Sequence, residues 1–310
     1  MTPMSVWIDT DMGFDDIAAL LVVQQAGLQI DGVSLVFGNA PLAQVRANAA
    51  GAAHALGWDM PIYAGRDRPV MGSLETAQAI LGDTGIPTTG ETLPKAEDLV
   101  QDDAFSALCR WLWTAPSPRR ILALGPLTNL AALVLARPEL ARRIDDLVWM
   151  GGGLTRGNHT ASAEFNAYAD PEAVAIVLAH GLPLRMVDLD FCRQVLATPQ
   201  DVLPVRAAGG RNAGLIADML DGFIAIATSR GRPAMALYDA VAAAAFVRDD
   251  LVEFQRASIE MECAGRLTRG RTVVETRDTH AAFNGSFAAR GDVAALRANI
   301  LEALRSEAAK

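Results

Sequence analysis

The sequence predicts an α/β fold: a single open, mostly parallel, Rossmann-like sheet with helices on both faces and an active site at the carboxyl ends of its strands. Two observations carry that prediction. Short β-branched or apolar runs alternate with longer helical patterns through the first two-thirds of the 310 residues, as in parallel βαβ units. Polar or glycine-rich turns then follow four of the apolar runs, where an open parallel sheet binds its ligands.

In chain order, strands are expected at residues 4–8, 30–37, 61–63, 120–124, 146–150 and 182–187. Helices are expected at 16–26, 42–56, 102–114, 127–136 and 170–179. From about residue 202 to 247 the pattern is mostly helical. Residues 254–263 and 271–276 read as a strand pair across 265–270, and 293–305 as a closing helix. No repeat, low-complexity tract or linker interrupts the chain, so a single domain over residues 1–310 is expected. Two loose stretches, 82–95 and 151–163, read as mobile binding loops.

Composition narrows the function. The 36 acidic against 27 basic residues give a net charge of −9, which suits neither a nucleic-acid backbone nor an anionic membrane. The longest apolar runs, such as 17–23, fall short of the roughly 18–20 residues of a membrane span. The first residues have no basic segment followed by an apolar one, so no signal peptide is expected. Cys109, Cys192 and Cys263 are widely spaced with no CxxC and read as buried thiols, which fits a soluble cytoplasmic protein. The only lysines are Lys95 and Lys310, so chemistry that needs an internal lysine must use Lys95.

The four turns are specific. Asp9-Thr10-Asp11 follows 6–8, Gly38-Asn39 follows 34–37, Gly125 to Asn129 follows 121–124, and Gly151-Gly152 follows 147–150. The first turn places Asp9, Asp11, Asp15 and Asp16 within eight residues around Gly13. Carboxylates this close resist joint ionisation, and a hard divalent cation relieves them. All-oxygen ligation favours Ca2+ or Mg2+ over zinc. Helix capping by Asp15 or Asp16 accounts for one or two of the four, but not for all of them.

The segment from Asp9 to Asp16, DTDMGFDD, resembles the N-terminal DxDPGxDD motif of the inosine–uridine-preferring nucleoside hydrolases. Further similar segments follow in order: Gly38-Asn39 with Asn48, GPLTN at 125–129, Met150-Gly151-Gly152, Gly157-Asn158, AEFN at 163–166, DPEA at 170–173, Leu189-Asp190, Asp239 within LYDAVA, and GRLTRGRT at 265–272. Together they span about residues 4–305. The resemblance implies hydrolysis of the N-glycosidic bond of ribonucleosides, with a Ca2+ site made by Asp11, Asp16, Asp239 and the backbone carbonyl of Leu124. It implies Asp15 on the ribose 2′- and 3′-hydroxyls, with Asn39 and Asn166 beside it. Asn158 and Glu164 are expected at the 5′-hydroxyl, Met150 under the sugar, and Phe165 within the same substrate-binding segment. Asp9 reads as support for the metal loop. A homodimer or homotetramer is implied as well.

Such a reaction passes through an oxocarbenium-like sugar and needs an activated water, a polar surround for the developing cation, and relief of charge on the departing base. Asp11 is the expected general base. Met12 stands where the family usually has proline, which is expected to loosen the turn. Tyr238 stands where many members have a histidine facing the base, and the segment 81–83 lacks a lid histidine. Tyr238 is therefore the catalytic candidate at the leaving group, as proton donor or stacking platform, with core packing as the alternative. His159, beside Asn158, is a candidate ligand contact; His54 and His180 fall on helix patterns, and His280 has no partner that the sequence names.

Two other classes compete. A haloacid-dehalogenase-like Mg2+ phosphohydrolase also opens with a strand and DxD, but its lysine would have to be Lys95 and the AEFN and GPLTN segments would go unused. A non-catalytic nucleoside- or calcium-binding homologue is the other. No GxGxxG follows the first strand, which argues against a nicotinamide-binding enzyme.

Overall fold

A computed structural model describes residues 5–101 and 103–310. The first residues of the expected strand at 4–8 and helix at 102–114, Met4 and Asp102, lie outside the described residues. The strands are β1 (Ser5–Thr10), β2 (Gln29–Leu35), β3 (Ile62–Ala64), β4 (Arg120–Ala123), β5 (Asp146–Met150), β6 (Leu184–Val187), β7 (Leu196–Ala197), β8 (Met235–Ala236), β9 (Val252–Met261), β10 (Thr272–Glu275) and β11 (Gly285–Gly291). Nine of them form one open sheet in the order β10-β9-β11-β6-β5-β4-β1-β2-β3. From β11 to β3 every neighbouring pair is parallel; β9 runs antiparallel to both β11 and β10. β7 and β8 pair separately.

Alternation along the strands divides the core into two layers. Val6, Ile8, Leu122, Val148 and Val187 face one layer, while Trp7, Ile121, Leu147, Trp149 and Met186 face the other. Helices Phe14–Gln25, Leu42–Leu56, Ala213–Thr228, Tyr238–Val247 and Val293–Ala308 pack into the first layer. Helices Ala104–Thr114, Thr128–Ala136 and Pro171–Ala179 pack into the second. The expected open, mostly parallel sheet flanked by helices is what the chain adopts.

The chain leaves β1 for β2 and β3 on one side, then returns to build β4, β5 and β6 on the other. The strand order therefore switches between β1 and β4, where an open sheet parts to form a crevice. Two helices run from that crevice almost wholly inside the protein. Residues 14–23 of the first are all buried, as are residues 239–246 of Tyr238–Val247. Both present their N-termini there, and the unpaired N–H groups at such ends favour negative charge.

Three strands depart from expectation: the two-residue pair β7–β8, of which β8 falls in the stretch read as mostly helical, and β11. β11 was not foreseen, and it lies between β6 and the strand pair β9–β10. Its sequence, GSFAARG, is poor in β-branched residues, and non-local pairing on both sides overrides that weak propensity.

Candidate active site

The turn after β1 is held by hydrogen bonds of its own polar groups. Thr10 Oγ1 donates to Asp16 Oδ1 at 2.5 Å, and Gly13 N donates to Asp16 Oδ2 at 2.7 Å. Asp16 thus caps its helix and also faces the crevice. Met12 lies between them with φ 44°, in the left-handed region, and its N–H donates to Thr10 Oγ1 at 3.0 Å. Proline, fixed near −65°, would not fit this backbone. The Met12 turn is therefore not merely a looser form of the proline turn.

Carboxylate oxygens of Asp11, Asp16 and Asp239, all buried, lie within 4.8 Å of one another. Asn39 holds the first of these, with its backbone N–H on Asp11 Oδ2 at 2.7 Å and its amide on Asp11 Oδ1 at 2.9 Å. The same amide reaches Asp16 Oδ2 at 3.1 Å. Gly38 allows this approach, because a Cβ there would stand 2.0 Å from Asp11 Oδ2. Burial pushes the Asp11 carboxyl well above its ordinary range, and the neighbouring charge of Asp16 adds to the effect. Asp239 is raised in the same way, by burial and then by Asp15, Asp16 and Asp11. Asp15 accepts from the backbone N–H of Asp239, yet burial and the charge of Asp16 still raise it to about 8. Such a set cannot carry its full negative charge without a counter-charge.

Asp9 points elsewhere. Its Oδ2 accepts from Ser34 Oγ and, at 2.8 Å, from Asn129 Nδ2, while burial lifts its pKa to about 7. Ser34 and Asn129 also line a separate cavity of about 470 Å3 beside Gly65 and Phe105, away from the three carboxylates. Asp9 therefore ties the end of β1 to β2 and to Asn129.

Residues 6–300 match the inosine-uridine preferring nucleoside hydrolase family. The chain belongs to that family. It is accordingly a hydrolase acting on N-glycosyl compounds, which excludes the phosphohydrolase alternative. A similar protein is the non-specific ribonucleoside hydrolase RihC of Salmonella paratyphi B, 34% identical over 275 residues that cover 88% of each chain. Among solved structures, a purine-preferring ribonucleoside hydrolase from Gardnerella vaginalis superposes with a TM-score of 0.90 at 26% identity, covering 98% of this chain and 99% of that one. An inosine-guanosine nucleoside hydrolase gives 0.86 at 25% identity, covering 98% of both chains.

The remaining candidates of this nucleoside hydrolase lie at the end of β5, in the loop after it and at the starts of two helices. Asn166 Nδ2 donates to the Leu124 carbonyl at 2.8 Å and to the Met150 carbonyl at 3.0 Å, linking the ends of β4 and β5. Glu164 caps the short helix Phe165–Ala169. Its Oε1 accepts from Asn166 N at 2.8 Å, and its Oε2 from Gly152 N at 2.9 Å and Ala167 N at 3.0 Å. Burial raises Glu164 to about 7 in spite of these bonds. Asn158 Oδ1 accepts from Phe165 N at 3.0 Å. Phe165 packs with Val36, Phe37 and Ala169.

Tyr238 opens the helix that carries Asp239. Its ring meets Phe223 edge-on with centroids 6.5 Å apart, so the packing role is real, but the residue is only partly buried. Burial raises its hydroxyl above the ordinary value, while the cations Arg193 and Arg232 act in the opposite direction. His159 lies against Tyr168 and Phe165, with centroids 4.5 and 5.4 Å away. His180 Nδ1 lies 2.8 Å from the Ile176 carbonyl, and His280 has a partner that the sequence did not name, Glu275 at 3.7 Å. Asp188, at the end of β6, was not foreseen. It is buried, caps the turn Leu189–Cys192, and has one oxygen, Oδ2, without a partner among the described residues. Its position directly after an apolar run was the available signal. Among the described residues no helix is long and apolar enough to cross a membrane.

Proposed function

We propose that this chain hydrolyses the N-glycosidic bond of ribonucleosides with Ca2+ as its cofactor, releasing free base and ribose. The observation that carries the reading is the meeting of Asp11, Asp16 and Asp239 at the carboxyl end of β1, within 4.8 Å. The donor set suits a hard cation, because three carboxylates and the Leu124 carbonyl would offer oxygen alone. Burial raises all three carboxyls, and neighbouring carboxylates add to the effect at Asp11 and Asp239; a divalent cation would relieve that repulsion. Family resemblance selects Ca2+ from the hard ions. When bound, the cation supplies positive charge that lowers the pKa of a neighbouring water.

The protein's own groups do the rest. Asp11, oriented by Asn39, takes the proton of the attacking water. Asp15 accepts from the ribose 2′- and 3′-hydroxyls, with Asn39 and Asn166 alongside. Asn158 and Glu164 hold the 5′-hydroxyl, Met150 lies beneath the sugar, and Phe165 borders it. This carboxylate- and amide-lined surround suits the oxocarbenium-like sugar. Tyr238 acts on the departing base as proton donor or stacking platform; burial raises its pKa, which keeps the hydroxyl protonated at neutral pH but makes it a weaker acid, so donation would rely on its placement.

The test is to incubate the purified protein and Ca2+ with inosine, uridine, cytidine and adenosine and assay reducing sugar. Free ribose from at least one is expected. Tight nucleoside binding with no ribose from any of the four would leave a binding protein instead.

A further inference from the structure

The loop from β5 to Glu164 contains no helix or strand, yet its carbonyls are systematically taken. Arg271 donates through Nη1 to the Thr155 carbonyl at 2.9 Å and through Nη2 to that of Leu154 at 3.2 Å. Arg193 repeats the pattern one step further on, with Nη1 to Arg156 at 3.0 Å and Nη2 to Gly157 at 2.8 Å. Two guanidinium forks thus bind the carbonyls of every residue from Leu154 to Gly157. The N–H groups of Leu154 and Thr155 donate to Asp190 at 2.7 and 2.9 Å, and Asp190 lies 3.6 Å from Arg193. A planar fork is preorganised for two acceptors, so less side-chain entropy is lost per bond than with lysine.

After Gly157 the chain reverses tightly. The N–H groups of Asn158, His159 and Thr160 all point at the Ala163 carbonyl, at 3.2, 3.2 and 3.3 Å. A Cβ on Gly157 would stand 2.1 Å from that same oxygen. Asn158 therefore projects from a turn whose entry is set by Arg193. Because its Oδ1 already accepts from Phe165 N, the amide nitrogen is the end left to offer a ligand.

We propose that Arg193 is a positioning residue: by gripping the Arg156 and Gly157 carbonyls it holds Asn158 where a ribose 5′-hydroxyl contributes to the reaction. The proposal rests on the reading of Asn158 given under the proposed function. The hydrogen bonds of Arg193 go to backbone carbonyls, and its ion pair is to Asp190, so its part in the reaction is exerted through the loop. Arg271 and Asp190 keep the first half of the loop in place when Arg193 is changed, which confines the effect to the Asn158 end.

The experiment compares kcat/KM for wild type, Arg193→Gln and Arg193→Lys on three substrates. These are the ribonucleoside that wild type hydrolyses best, its 5′-deoxy analogue, and p-nitrophenyl β-D-ribofuranoside. Wild type is expected to favour the 5′-hydroxyl over the 5′-deoxy substrate by about tenfold or more, and Arg193→Gln to lose most of that preference. Arg193→Lys, which keeps the charge but not the fork, is expected to fall between them. The nitrophenyl riboside, which carries the 5′-hydroxyl but needs no help at its leaving group, should slow as the nucleoside does. An equal loss on the hydroxylated and deoxy substrates would overturn the proposal, since that is what general damage produces. A loss absent with the nitrophenyl riboside would also overturn it, because Arg193 would then be acting on the base beside Tyr238. A 5′-hydroxyl preference that Arg193→Gln leaves intact overturns the Arg193 role alone. Wild-type activity with no such preference overturns the Asn158 reading and the Arg193 role with it, whereas wild-type protein inactive on all three overturns the hydrolase reading beneath them.

Discussion

Asn39 grips Asp11 twice, through its backbone N–H at 2.7 Å and its side-chain amide at 2.9 Å, and so fixes both oxygens of the carboxylate. The pair joins the turn after β1 to the turn after β2. Removing either partner has a distinct expected result. Asp11→Ala should lower turnover at least about 100-fold, as expected for a lost general base. It should not destabilise the chelator-treated protein, because it deletes one of several buried, mutually repelling carboxylates. Asn39→Ala keeps the backbone bond and should reduce kcat/KM about tenfold, in line with the loss of one hydrogen bond to a charged group. Sugar-release assays and thermal unfolding of the two variants measure both effects.

Proton binding makes a prediction of opposite sign for the protein with and without a cation. Burial first, then neighbouring charge where present, lifts Asp9 and Glu164 to about 7 and Asp15 to about 8 from ordinary values near 4. Between about pH 4 and about pH 8 the folded protein therefore holds more protons than the unfolded chain, and its stability falls as pH rises. With chelator present, Tm should be lower at pH 8 than at pH 5.5. The rise in Tm on adding Ca2+ should be larger at pH 8, because binding requires ionised carboxylates. A chelated protein whose Tm climbs across this window would contradict the assignment.

Tyr238 separates proton donation from packing. Tyr238→Phe keeps the ring against Phe223 and removes the hydroxyl. Nucleoside hydrolysis should fall by about 100-fold, the lower end for general acid catalysis, while p-nitrophenyl β-D-ribofuranoside should be nearly unaffected. If Phe matches wild type and only Ala is impaired, the residue stacks or packs and does not donate.

Met12 offers a test of backbone geometry. Its φ of 44° and its N–H bond to Thr10 are both incompatible with proline. Met12→Pro should therefore cost at least about 1 kcal/mol and weaken cation binding. Met12→Gly, which relieves the left-handed backbone, should be tolerated. Unfolding curves in the presence and absence of Ca2+ check the pair.

Much of this was legible in the sequence, and the reasons differ by residue. β1, β2, β4, β5 and β6 are apolar runs bounded by turns, so periodicity found them to within a few residues. Asp11 and Asp16 declared themselves because four carboxylates in eight residues need an explanation. Asp239 did not; spacing says nothing of a partner more than 200 positions away, and only the resemblance of LYDAVA indicated it. β11 was hidden because SFAAR carries no strand signature until β6 and β9 flank it. The loop 151–163 read as mobile because glycine and small polar residues dominate it. Arg193 and Arg271 act on backbone carbonyls, which no side-chain motif records, and they tie four consecutive carbonyls of that loop.

The strand pair β9–β10 and the inserted β11 also carry an order of events. A chain made from its N-terminus completes Asp11, Asp16 and the helix bearing Asp239 before it reaches Arg271, and β11 follows later still. A nascent protein halted short of residue 271 would hold all three carboxylates but lack the Arg271 fork and the Thr272 hydroxyl that bonds Gly153. Its three carboxylates would thus be made before the residues that fasten the neighbouring loop, so the acidic cluster and the loop draw on different stages of synthesis.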